Sequence, residues 1–239
     1  MTNTFFWMDR SICIVTKDNW IFFKNIDNLS ERLAHEIIKI ANKSIKLRGE
    51  FKIVLTGGRS VLNTYKILSN SKSDWSKWHI YLGDERCVPV GDKDRNDCMI
   101  NRTWLECSLI PHKNIHFIHA ELGPSDGALH YEKTLSNVGS FDVVLLSMGE
   151  DGHIASLFPD HLYDESKDIV FELNAPKYPK ERISMSYSRL NQASYVFKII
   201  SGASKQNALE AWTQGKDLPI NKIRGLYDKV YIVGNYGFT

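Results

Sequence analysis

The residues best suited to chemistry lie in FDVVLLSMGEDGHIASLFP, residues 141–159. An apolar run at 143–146 breaks at Gly149, passes through Glu150, Asp151 and Gly152, and presents His153. An imidazole held beside carboxylates at the end of a buried strand can act as a general base near neutral pH. The pattern predicts a strand, a tight turn, and a short helical segment that begins with the histidine. In open α/β sheets, ligands bind at such strand ends. The competing reading is a structural turn histidine hydrogen-bonded to Asp151.

Three more strand ends carry polar groups. FKIVL runs into Thr56-Gly57-Gly58-Arg59-Ser60 and then a helical pattern. Two glycines let a ligand approach the backbone, free N–H groups at the helix start favour an anion, and Arg59 and Ser60 add donors. The Gly-Lys-Ser/Thr ending of a Walker loop and the GxGxxG of a dinucleotide site are both missing, and a plain βα turn is the alternative. WHIYL ends in Gly83-Asp84-Glu85-Arg86, where Arg86 is suited to clamp a phosphate and Asp84 to orient a histidine or a sugar hydroxyl. A surface salt-bridge cluster is the blander account. Ser201-Gly202-Ala203-Ser204-Lys205 places a lysine near another helix start, where it is either a point charge on a phosphate or an ordinary solvated residue. In a parallel sheet all four ends open on one edge. They make an anion site and a base with no cofactor motif, which points to a small phosphorylated substrate and proton-transfer or hydrolytic chemistry.

Other chemistries fit less well. His112, His116 and His119 lie close in sequence, but a strand there would put neighbours on alternating faces, against a zinc site. Cys87, Ser147 and Ser156 adjoin these segments without a GxSxG elbow.

The elements that must position these groups alternate. Short extended segments are expected at 5–7, 12–15 and 20–23. Ser30 resembles an N-cap before an amphipathic helix with Leu33, Ile37, Ile38, Ile40 and Ala41 on its apolar stripe. Strands are expected at 51–55, 78–82, 115–118, 141–147, 167–173, 183–187, 195–200 and 229–233. Helices are expected at 61–68, from 96 to about 109, over 124–137, at 188–193 and at 206–212. A Pro- and Lys-rich loop spans 175–182. Strands alternating with helices imply an α/β chain with a mostly parallel sheet covered on both faces, and one domain over 1–239 is the simplest organisation.

Composition sets the bounds. The 239 residues are 43% hydrophobic and 24% charged, ordinary globular material. A net charge of +2 suggests no nucleic-acid or anionic-membrane surface. The four cysteines, Cys13, Cys87, Cys98 and Cys107, form no CxxC pair and are expected to stay reduced. Neither a signal peptide nor the roughly 18 apolar residues of a membrane span is legible, so a cytoplasmic location is expected.

Taken together the motifs resemble one family. Thr56-Gly57-Gly58 followed by Tyr65 resembles the phosphate loop of 6-phosphogluconolactonases, and Asp84-Glu85-Arg86-Cys87-Val88-Pro89 with Asn96 resembles their DERxVP segment. SMGEDGHIASLFP resembles their GMGxDGHTASLFP signature, and APKYPKERISMSYSRLNQA with SGASK resembles two later segments. The match runs in order from about residue 50 to about residue 230. The resemblance implies a three-layer, Rossmann-like fold of the NagB/RpiA type, shared with glucosamine-6-phosphate deaminase/isomerases. It implies hydrolysis of 6-phosphogluconolactone in the pentose phosphate pathway without a metal or cofactor. His153 would then be the general base. Gly57, Gly58, Arg86, Arg182 and Lys205 would hold the phosphate or the sugar acid, with Arg59, Ser60, Asn96, Asp151 and Gly152 alongside. Asp84 matches the proton-transferring aspartate of the isomerases and is expected only to orient substrate or water. The expected partner is a small phosphorylated sugar lactone, with no nucleic acid or membrane, and the protein a monomer or small homo-oligomer.

This sequence departs from the family pattern at Arg59 (usually Ser), Val61 (Pro), Arg95 (Ser) and Ser147 (Gly). The nearest alternative is a sugar-phosphate isomerase or deaminase of the same fold. Those enzymes follow the DGH turn with Ala-Phe-Asn-Glu-Pro, whose glutamate assists ring opening, and the matching position here is Phe158. A non-catalytic sugar-phosphate sensor is the other alternative. It would need a DNA-binding module, for which residues 1–30 are too short and strand-like.

Overall fold

The computed structural model describes residues 12–13 and 19–234. The extended segment expected at 5–7 and the end of the one at 12–15 lie outside the described residues. β1 (Ile12–Cys13) pairs antiparallel with β2 (Trp20–Phe23). Helix α1 (Ile26–Arg48) starts upstream of Ser30, the residue expected to cap it. Asn25 is the cap: its Oδ1 accepts the Asn28 N–H at 2.9 Å, while Ser30 is fully buried inside the helix. Gly49, with φ 81°, ends the helix by donating its N–H to the Ile45 carbonyl.

Next come β3 (Phe51–Leu55), α2 (Leu62–Ser69), β4 (Trp78–Leu82), β5 (Asp84–Arg86), α3 (Asn96–Thr103), β6 (Ile115–His116) and α4 (Pro124–Leu135). They are followed by β7 (Phe141–Ser147), β8 (Ile169–Glu172), β9 (Arg182–Met185), α5 (Tyr187–Leu190), β10 (Ala193–Ser201), α6 (Gln206–Thr213) and β11 (Tyr227–Val233). Helix α3 stops well before the expected 109. Trp104 leaves the helical region at φ −145° and joins the buried ring cluster of Tyr65, Trp75 and Trp78.

The main sheet has eight strands in the order β1-β2-β11-β10-β7-β3-β4-β6. Every pairing in it is parallel except β1–β2. The chain builds outward from β3 through β4 to β6, then returns to lay β7 on the other side of β3 and builds the opposite way. The strand order therefore reverses between β3 and β7, the place where open α/β sheets bind ligands. Strands β3 and β7 are buried at every position but one each, as expected for strands covered on both sides. The covering follows from register. Phe197 pairs with Lys229 and Lys198 with Val230, so the two lysines leave opposite faces. Lys229 meets Glu36 of α1, and Lys198 lies under the Trp212 ring of α6.

A second sheet, β5-β9-β8, is antiparallel and packs with α4. Arg182, expected in a loop, opens β9, and Asp84–Arg86 is a strand of this sheet rather than the loose end of β4. Gly83 joins the two sheets. Its N–H donates to the Leu55 carbonyl of β3 at 3.0 Å, and its carbonyl accepts the Met185 N–H of β9 at 2.8 Å.

Candidate active site

The loops after β3, β4, β7 and β10 do converge on one edge of the sheet. There they enclose, with β5 and β9, a cleft of ≈ 200 Å³ lined in part by Gly57, Gly58, Asp84, Arg86, Asn96, His153, Arg182 and Lys205. Thr56, Ser147, Met148, Gly149 and Ala155 complete the lining.

His153 is held from three sides. Asp151 Oδ1 accepts the backbone N–H of His153 at 3.1 Å and lies 2.5 Å from Nδ1. Burial raises the Asp151 carboxyl, but the hydrogen bond and charge of His153 outweigh it and hold the pKa at about 2. An ionised carboxylate can only accept, so Nδ1 carries the proton, and in the neutral ring the lone pair falls on Nε2. Among the described residues no protein group bonds Nε2. The ring lies against Gly149, where a Cβ would sit 2.1 Å from Cε1 and Nδ1. Phe158 flanks it with ring centroids 4.7 Å apart.

The segment after the histidine is not the short helix expected. Ile154 and Leu157 form a tight two-way bridge, their N–H groups reaching each other's carbonyls at 3.3 and 2.9 Å, with Ala155 at φ 46°. Tertiary partners take the groups a helix would need. The Ser156 N–H goes to Ser184 Oγ, the Ser156 hydroxyl to Asp84, and the Phe158 N–H to Tyr163.

Asp84 is 5% exposed and fully engaged: Oδ2 accepts the Ser156 hydroxyl at 2.7 Å and Oδ1 the Asn96 amide at 3.2 Å. Asn96 is itself pinned, since its amide also donates to the Asp84 carbonyl at 2.9 Å. Its side chain fills the space over Gly57, where a Cβ would fall 1.9 Å from Asn96 Oδ1. The carboxylate of Glu85 is completely buried and is not part of a surface cluster. It accepts the backbone N–H groups of Arg86, Asn96 and Asp97, each at 2.8 Å, and so caps α3 behind the cleft. Burial and the neighbouring Asp97 push its pKa up to about 7, against the pull of those N–H groups.

The cleft is poised for an anion. The N–H groups of Gly57 and Gly58 make no hydrogen bond among the described residues. Arg86 and Arg182 are cross-strand partners in β5 and β9, so two like charges stand directly opposite one another. Neither forms an ion pair with a described residue. Arg86 Nε is buried without a partner, while its Nη1 donates to the Asp94 carbonyl. Arg182 is aimed by the carbonyls of Pro179 and Lys177 at 2.9 and 3.2 Å. Burial and the charge of Arg86 lower its pKa, and a bound anion would relieve both. Burial likewise lowers the pKa of Lys205.

The remaining expected residues fall outside the lining. Arg59 is exposed. Ser60 stands behind the wall with its hydroxyl 2.8 Å from that of Ser147, so the serine that replaces the family glycine is tied to the glycine loop. Asp151 acts on the ring from outside. Gly152, at φ 88°, is required by the turn, because a Cβ there would meet Leu218 at 2.8 Å. Among the described residues no group of three His, Cys, Asp or Glu is placed to hold a metal ion. Cys87, Cys98 and Cys107 are free thiols. Sequence reasoning missed Ser184, Tyr163 and Glu172 as supports of this site. They belong to no motif, and only the small sheet brings them close.

Comparison with known proteins gives the family and the fold. The family model described as glucosamine-6-phosphate isomerases/6-phosphogluconolactonase matches residues 24–232. The chain belongs to that family. A relative from Oryza sativa subsp. indica, "Probable 6-phosphogluconolactonase 4, chloroplastic", is 33% identical over 80% of this chain, which spans 64% of the relative's length. The 6-phosphogluconolactonase of Thermotoga maritima is 29% identical over 95% of this chain and 100% of its own. Its crystal structure superposes with a TM-score of 0.83 at 28% identity, covering 91% of this chain and 99% of that one. A Trypanosoma brucei 6-phosphogluconolactonase, at 23% identity and TM-score 0.78, shares the fold over 91% of this chain and 96% of its own.

Proposed function

We propose that this protein hydrolyses 6-phospho-D-glucono-1,5-lactone to 6-phospho-D-gluconate, a step of the pentose phosphate pathway. The observation that carries the reading is the pairing, in one cleft, of an Asp151-oriented imidazole with a free Nε2 and an unneutralised Arg86–Arg182 pair beside bare glycine N–H groups. The phosphate docks on the Gly57-Gly58 turn with Arg86, Arg182 and Lys205. Nε2 of His153 takes a proton from water as the water attacks the lactone carbonyl. The imidazolium, steadied by Asp151, then protonates the departing ring oxygen. Asp84 orients substrate or water, since both its oxygens are already engaged.

The isomerase reading needs a second proton-transferring acid after the DGH turn. Phe158 occupies that position, and Asp84 is the sole carboxylate among the described residues lining the cleft. The names of the curated relatives support the hydrolase. A single-domain enzyme acting in the cytoplasm as a monomer or small homo-oligomer completes the proposal. No helix among the described residues is long and apolar enough to cross a membrane.

The test is to generate 6-phosphogluconolactone in situ and follow its loss with purified protein. Consumption well above the spontaneous rate is expected. Consumption at the spontaneous rate would overturn the assignment.

A further inference from the structure

Phe158 touches both halves of the proposed chemistry. Its ring lies 4.7 Å from that of His153 and 5.7 Å from the guanidinium carbon of Arg182, and it is 3% exposed. Something must hold this ring, because the bridge turn before it ends at Leu157. The Phe158 N–H donates to the Tyr163 hydroxyl at 3.0 Å. That hydroxyl has one proton to give. Glu172 Oε2 at 2.9 Å takes it in preference to the Ser156 carbonyl at 3.4 Å. Glu172 is 7% exposed, and both its carboxylate oxygens are engaged. Oε2 also meets His161 Nδ1 at 2.6 Å, and Oε1 accepts the Asn174 N–H at 2.6 Å. Its residue is the register partner of Arg182 across β8 and β9.

We propose that Tyr163 and Glu172, with His161 outside them, are positioning residues for the hydrolysis proposed above. They anchor Phe158, which sets the angle of the His153 ring and the reach of Arg182. The arrangement is a part-buried hydrogen-bond network running from the surface to the back of the base, and such networks favour one geometry. It also repeats the arrangement at the base itself. One carboxylate orients His153 through Nδ1, and a second carboxylate, through a tyrosine, orients the ring packed against it. Glu172 further places a negative charge beside Arg182 without neutralising it, so the guanidinium stays available to an incoming phosphate.

The inference rests on the hydrolase reading, and the test separates the two. Tyr163→Phe removes the hydroxyl and leaves the ring volume. On 6-phosphogluconolactone its kcat is expected to fall about tenfold with KM within about twofold, at a temperature where the variant's unfolding curve shows it fully folded. His161→Gln, at the outer end, is expected to lower kcat by about twofold and serves if Tyr163→Phe does not fold. In both variants the ¹⁵N signals of the His153 imidazole should move away from the single Nδ1–H tautomer of the wild type. Unchanged kcat and unchanged His153 signals in the folded variants overturn the positioning role while the hydrolase reading stands. A wild type that does not accelerate lactone loss overturns the hydrolase reading, and the His153 signals then still decide whether Tyr163 positions the ring.

Discussion

The wall of the cleft formed by the loops after β3 and β7 presents backbone: bare glycines, unpaired N–H groups, and one imidazole held by a neighbour two residues away. The wall formed by β5 and β9 presents side chains, with Asp84, Arg86 and Arg182 half or fully buried, Asp84 held by Ser156 far along the chain and the two arginines set opposite each other by strand register. The first wall is built by local turns, the second by strand pairing. Glycine suits the first because a Cβ at Gly57 or Gly149 would collide with the side chain of Asn96 or His153. Register suits the second, since cross-strand neighbours are the closest way to force two cations together. On this view the first wall supplies the reacting groups and the second holds the charge.

Substitutions on each wall should therefore fail differently. His153→Ala should cut kcat by about 10²–10⁴ with little change in folding. A variant that instead kept kcat and raised KM would erase the distinction. Arg182→Gln should raise KM about 10- to 100-fold, the worth of a charge-assisted hydrogen bond, while kcat falls less. Steady-state kinetics on both variants settles the division. Gly57→Ala tests whether the walls are mechanically linked. Its methyl group must displace the pinned Asn96 and through it Asp84, costing about 1–3 kcal/mol in stability by overpacking. A lowered unfolding temperature with reduced kcat/KM is the expected readout.

The smallest effect concerns Asp151→Asn. The folded-state pKa of Asp151 is lowered from 3.8 to about 2. Its ionised form thus contributes stability above the unfolded value, and that contribution is lost as pH falls through about 2. With 40% of its side chain exposed, the contribution should stay below about 1 kcal/mol after screening. The difference in unfolding temperature between wild type and variant should shrink on acidification below about pH 4. A difference that grew toward low pH would show that Asp151 is not held ionised by His153.

The local wall was legible in the amino-acid sequence because its signals are local. Gly57-Gly58 and the DGH turn announce themselves by residue type directly after an apolar run, and their strand-end placement follows. Arg86 was legible as a charge, but not as a member of an arginine pair, because β5–β9 pairing joins residues about 100 positions apart. Arg182 entered only through family resemblance. The helix expected after His153 failed for the same reason. Apolar residues at helical spacing are buried there, yet Ser184, Asp84 and Tyr163 capture the groups that a helix would use internally. Ser30 misled in the opposite sense: a good capping residue, it is overruled by Asn25 because the apolar stripe begins earlier. Tyr163 and Glu172 carry no motif at all, and only tertiary structure gives them a place.

Gly83 donates to one sheet and accepts from the other, so a single peptide segment spans the gap between the two walls. The gauge of the cleft is thereby written in main chain. Side chains on either side can be exchanged during evolution for a different sugar or a different leaving group without altering how far apart the base and the cations stand. A fold with such a fixed gauge can change its chemistry by changing one residue after the histidine, which is the kind of difference that separates Phe158 here from a glutamate elsewhere in the family.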